Sequence, residues 1–136
     1  MGGTTTEDTG GSQEAIDAYL SDSEYAPANN YDGTVADMTG QDTVTVQVGA
    51  GENNFAYDPA AVRIDTGTTV EFEWTGEGGA HNVKSADGSD FQDLDSGDSV
   101  QTTGVEYTYT FEESGLATYY CTPHENLGML GAIVVQ

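Results

Sequence analysis

From Thr43 onward, apolar and polar side chains alternate with a period of two. Thr43-Val44-Thr45-Val46-Gln47-Val48 puts three valines on one face, and Thr69-Val70-Glu71-Phe72-Glu73-Trp74 and Glu106-Tyr107-Thr108-Tyr109-Thr110-Phe111 repeat the device. Such alternation marks a strand with one buried and one wetted face, because successive side chains leave a strand on opposite sides. Further short segments at residues 33–37, 61–64, 80–84, 116–120 and 131–135 lie between Gly, Asp and Asn turns such as Asp65-Thr66-Gly67. About eight short strands predict an all-β chain folded as a two-sheet sandwich or small barrel. Residues 87–104 read as an acid-rich loop.

Ahead of residue 32 the pattern changes. Residues 1–14 contain Gly, Thr, Ser, Gln and acids with no apolar side chain after Met1, the composition of a flexible tether. Ala15, Ile16, Tyr19 and Leu20 recur at helical spacing, which predicts a short helix against the domain or, on the competing reading, a frayed extended lead-in. The organisation expected is therefore a tether at 1–14, a lead-in at 15–31 and one β-domain at 32–136. Met1-Gly2-Gly3-Thr4-Thr5-Thr6 fits the formal N-myristoylation pattern, which a Gly/Thr tract meets by chance. No apolar run is long enough to span a bilayer, and no charged segment followed by an apolar one marks a signal peptide.

Charge alters the picture of the surface. Against 24 acidic residues the chain sets only Arg63 and Lys84, for a formal charge of −22, which argues against nucleic acid as a partner. So acidic a composition would suit a disordered chain, were it not for the regular alternation of acids with buried-type residues in the strands. The carboxylates thus line solvated faces of a folded sheet, as suits a protein from a halophile, where salt screens their repulsion. With 136 residues the chain is long enough for a single domain, expected to be a monomer.

The chemistry lies near the C-terminus, in Cys121-Thr122-Pro123-His124-Glu125-Asn126-Leu127-Gly128-Met129, with His81 upstream. Each of these residues has an ordinary use: a lone Cys as a small buried hydrophobe, a Met between leucines as core. Yet the chain's single Cys and its two His fall on one loop and one strand end, beside a Met. A thiolate and a thioether hold Cu(I) while imidazoles also satisfy Cu(II), and a His2Cys set with a long axial Met describes a blue-copper electron-transfer site. The predicted ligands are His81, Cys121, His124 and Met129 around one copper ion, although Zn(II) would occupy the same donors readily. A multicopper enzyme lacks the histidines it would need, and a Cys/His hydrolase has no use for the Met. A copper storage or delivery protein is the competing class, since the same soft donors would bind Cu(I).

These segments, with Tyr31-Asp32-Gly33-Thr34-Val35, Phe55-Ala56-Tyr57-Asp58-Pro59, Gly67-Thr68-Thr69-Val70, Trp74 and His81-Asn82-Val83, make the chain resemble the halocyanins, small blue copper proteins of halophilic archaea within the plastocyanin-like cupredoxins. The resemblance covers most of the chain. It implies a Greek-key cupredoxin sandwich, His81, Cys121 and His124 as equatorial ligands, and Met129 as the axial one. For Asn82 it implies a backbone N–H to the Cys sulfur and a side chain that ties the two ligand loops together. It also implies a carrier of single electrons, not an enzyme, with no small-molecule substrate and with transient protein redox partners such as membrane respiratory complexes. Electrons would leave through His124, within an apolar rim of Pro123, Leu127, Gly128 and residues 55–59. Family members are often exported and lipid-anchored through an N-terminal Cys; none precedes Cys121 here. The expected location is the outer face of the cytoplasmic membrane, with an anchor borne on a segment that this sequence lacks.

Overall fold

The computed structural model describes residues 13–136. The predicted tether therefore lies almost wholly outside the described residues. Two sheets face one another. The first has the order β1 (Ala36–Asp37), β4 (Ala61–Ile64), β9 (Leu130–Val135), β8 (Gly115–Tyr120) and β6 (Lys84–Ser85); the second has β3 (Ala56–Asp58), β2 (Thr43–Ala50), β5 (Thr69–Trp74) and β7 (Gly104–Thr110). Pairing is parallel for β1–β4, β4–β9 and β2–β5 and antiparallel elsewhere.

The period-two pattern is honoured. Val44, Val46 and Val48 of β2 and Val70, Phe72 and Trp74 of β5 are all buried and meet Val62, Ile64, Ile133 and Val135 of the opposite sheet in one core. Three details differ from the sequence expectation. The 55–59 stretch supplies β3, paired with β2, which the strand pattern did not mark. Only Ala36–Asp37 of the 33–37 segment is strand. The segment expected to run as a strand over 80–84 is reduced to β6, Lys84–Ser85. Its earlier residues find loop partners instead: His81 forms an isolated bridge with Val100, and the Val83 N–H donates to Ser96 Oγ. Residues 87–104 thus act as a brace for the His81 segment.

Residues 13–20 are helical (α1). Ile16 and Leu20 are buried with Ala28, Ala61, Leu130, Ala132 and Val134, and Tyr19 packs at the edge of this group. Ala15, assigned to the apolar face by its spacing, is exposed. Strand β9 explains the arrangement: every residue from Leu130 to Val135 is buried, alternate side chains entering the inter-sheet core and the cluster beneath α1. A strand covered on both faces reads as a continuous apolar run. The sandwich is therefore three layers deep at α1, which brings residues 27–31 against the loop between β8 and β9.

Candidate metal centre

Strand β8 ends at Tyr120, and Cys121 leads into a short 3-10 segment, Thr122–Leu127, with Pro123 at its start. The segment closes at Gly128, whose φ of 89° lies in the left-handed region that glycine enters without strain. Backbone hydrogen bonds draw the loop into a closed turn: Cys121 N–H to Met129 O, His124 N–H to Cys121 O, and Met129 N–H to His124 O. Cys121 and Met129 are therefore held side by side at the turn's base, both fully buried, with half-buried His124 at its crest.

His81 arrives on the connection between β5 and β6 and meets this loop. Its Nδ1 stands 3.8 Å from Cys121 Sγ, and His124 Nδ1 stands 3.5 Å from the same sulfur. The three donor atoms lie within 4.8 Å of one another. One ion at about 2.0 Å from a ring nitrogen and about 2.3 Å from a thiolate, with donor angles between tetrahedral and trigonal, spans about 3.5–3.7 Å between the two donors. The spacing and the donor chemistry both fit a single soft-to-borderline metal ion. His81 Nε2 lies 2.6 Å from the Glu77 carbonyl, an acceptor that places the proton on Nε2 and leaves the Nδ1 lone pair facing the sulfur.

Electrostatics favour a metal-ready pair of rings. Burial lowers the pKa of His81, opposed by its bond to Glu77, and burial followed by the neighbouring His81 lowers that of His124. Both are therefore neutral at neutral pH, the form that ligates. Burial pushes the Cys121 thiol up to about 11, although the backbone N–H groups of Asn82 and His124 pull it down. Those N–H groups stabilise a thiolate once a cation replaces its proton.

Asn82 bridges the two segments. Its Nδ2 donates to Thr122 Oγ1 at 3.0 Å, and its Oδ1 accepts the Thr122 N–H at 2.7 Å, a reciprocal pair joining the His81 segment to the Cys121 loop. Beneath it two buried aromatic donors hold the same segment: Trp74 Nε1 donates to His81 O at 2.9 Å and Tyr57 Oη to Asn82 O at 2.7 Å. Gly49 is a contributor that sequence reasoning missed. It sits at a register shift of β2 with φ of 92°, and a β-carbon there would lie 2.9 Å from His81 Nε2. Its signal was visible as a lone glycine closing an alternating strand, a common mark of a bulge or close backbone approach. The expected apolar rim is narrower than supposed. Leu127 and Pro123 are exposed and Phe55 half-buried, its ring 4.5 Å from that of His124, but Gly128, Ala56 and Tyr57 are buried. Pairing of β3 with β2 removes the last two from the surface.

Residues 44–136 match the model of copper binding proteins of the plastocyanin/azurin family. The chain belongs to this copper-binding family. Within the family it is a halocyanin-like cupredoxin: a halocyanin of Natronomonas pharaonis is 52% identical over 120 residues, 88% of this chain and 71% of that protein. A plastocyanin of Scenedesmus fuscus is 32% identical over 99 residues, covering 68% of this chain and 99% of its own. Among solved structures, a methionine-to-glutamine variant of amicyanin in its Cu(I) form superposes with a TM-score of 0.56 at 26% identity, over 70% of this chain and 83% of that one. The two-sheet architecture is thus the cupredoxin β-sandwich, and copper is the metal that this blue copper family binds.

Proposed function

We propose that this cupredoxin is an electron carrier that passes single electrons between larger redox proteins, with His81, Cys121 and His124 as the strong ligands and Met129 as the weak axial donor. Copper bound there supplies a one-electron Cu(II)/Cu(I) couple. The observation that carries the reading is the convergence of Cys121 Sγ with His81 Nδ1 and His124 Nδ1 inside a hydrogen-bonded frame. A frame fixed by Asn82, Trp74 and Tyr57 keeps donor positions nearly constant between oxidation states, and small rearrangement favours fast electron transfer. Half-buried His124, beside exposed Leu127, is the ligand nearest to a docking partner and the proposed exit for the electron. A rim of that size suits transient contact, and redox encounters bury small interfaces.

The partner class carried by this reading is a membrane respiratory complex, met at the outer face of the cytoplasmic membrane, with the resemblance to halocyanins as its support. No helix among the described residues is long and apolar enough to cross a membrane. The deciding experiment is visible and EPR spectroscopy of the copper-reconstituted protein together with voltammetry. An intense blue thiolate-to-Cu(II) band and a reversible one-electron wave are expected. A protein that binds only Cu(I), stays colourless under oxidant and gives no reversible wave would be a storage or delivery protein instead.

A further inference from the structure

We propose that Asn29, on the lead-in that precedes the β-sandwich, is a positioning residue for His124, clamping the metal-ligand loop to the loop that carries Phe55. Asn29 lies outside residues 44–136, the part of the chain that matches the family model. Its backbone N–H donates to Gly128 O at 2.9 Å, and its side-chain Nδ2 donates at 2.9 Å to both Leu127 O and Phe55 O. The amide thereby uses both of its hydrogens, one on each loop.

Both ends of the clamp bear on His124. Leu127 closes the 3-10 segment, where a terminal carbonyl lacks a helical partner, and Asn29 supplies the donor. His124 itself departs from helical backbone angles, with φ of −124° and ψ of 15°, and its ring is the part of the residue that the turn's backbone hydrogen bonds do not hold. On the other side, the Phe55 ring lies against the His124 ring at 4.5 Å between centroids and 35° between planes. Fixing the Phe55 carbonyl fixes the backbone from which that ring projects. The lead-in is itself anchored, through Ala28 N–H to Leu20 O at 2.6 Å and through burial of Ala28. Close approach completes the contact: a β-carbon on Gly128 would stand 2.9 Å from the Pro27 carbonyl.

The test has two readouts, and only the second rests on the ligand assignment proposed above. In copper-free protein, Asn29→Ala should speed hydrogen exchange at the Gly128 and Met129 amides by about tenfold, the factor expected when a net hydrogen-bond contribution near 1.4 kcal/mol is lost. In copper-loaded protein the same variant should lose copper to a chelator faster by a similar factor and alter the EPR pattern of the site. Asn29→Asp, which keeps the size and replaces the amide donor by an oxygen, should act in the same direction and serves if the alanine variant does not fold. Tyr31→Phe is the control: it removes the Tyr31 hydroxyl bond to Asp17 in the same lead-in and should leave loop exchange and the EPR pattern unchanged. The proposal is overturned if the Asn29 variants lower only the thermal midpoint, with loop exchange, copper release and EPR at wild-type values. A wild-type protein that is not blue would refute the ligand reading but leave the exchange test of the clamp standing.

Discussion

Gly49 shows how much a metal site can depend on a side chain that is missing. Alanine there would have to hold a left-handed backbone and push against the His81 ring at once. Gly49→Ala is expected to cost about 1–3 kcal/mol of stability and to shift the visible spectrum, because the His81 ring must turn. Urea unfolding and the absorption spectrum measure the two effects; an unchanged spectrum would mean that the ring has room to spare. Met129, proposed as the axial ligand, would act in the opposite way, through a weak donor. Met129→Leu should keep copper and colour but raise the reduction potential, since losing the thioether disfavours Cu(II) more than Cu(I); a lower potential in voltammetry would remove Met129 from the ligand set. The titrating groups predict a pH profile. With both imidazoles neutral and the Cys121 thiol protonated up to about 11, metal binding at pH 7 to 9 releases one proton. Affinity should therefore rise about tenfold per pH unit there, and more steeply at acid pH, where the histidines must also lose protons. Chelator competition at fixed salt tests the sign, and a flat profile would place a thiolate in the metal-free chain.

At the scale of elements, α1 and β9 explain each other. An outer face of Leu130, Ala132 and Val134 would be an exposed apolar surface without Ile16 and Leu20 above it. Leu20→Ala should cost about 2–5 kcal/mol in urea unfolding of the copper-free protein, the range for deleting a fully buried leucine side chain. A loss below about 1 kcal/mol would show that the helix contributes little to the sandwich it covers. The apolar run Leu130 to Val135 was readable in the sequence, as were Ile16 and Leu20. What it lacked was the pairing between them, because a two-face-buried strand implies a cover without saying which segment provides it. Strand β3 escaped for a related reason: three residues are too few for periodicity to register, and only the ladder with β2 defines them.

The whole molecule carries its charge of −22 on a surface where one ion pair among the described residues, Lys84 with Asp95 at 3.4 Å, is half exposed. Folding brings the carboxylates closer than in the extended chain, and their repulsion reaches further as the Debye length grows from about 3 Å at 1 M to about 10 Å at 0.1 M salt. The thermal midpoint of the copper-free protein should therefore fall on dilution from molar to millimolar salt. Copper should offset part of the fall, because a ligand that binds only the native state stabilises it by mass action. A midpoint that held steady or rose on dilution would contradict the salt-adapted surface and leave the metal site untouched.

Period-two alternation in β2, β5 and β7 and the scarcity of Cys and His were enough, from sequence, to reach a two-sheet sandwich or small barrel, which the family resemblance narrowed to the sandwich, and to single out Cys121, His124 and His81. Those inferences depend on local pattern and on ligand chemistry, both written in residue identity. Tertiary structure decided the rest: that Glu77 O selects the His81 tautomer, that Gly49 leaves space for that ring, that Asn29 reaches two loops at once, and that α1 lies over β9. Each of these joins residues from different segments through a backbone carbonyl, an absent side chain or a packed face. A carbonyl is the same in every residue and a glycine's letter does not say what its missing side chain makes room for, so only the folded chain reveals which partner they meet.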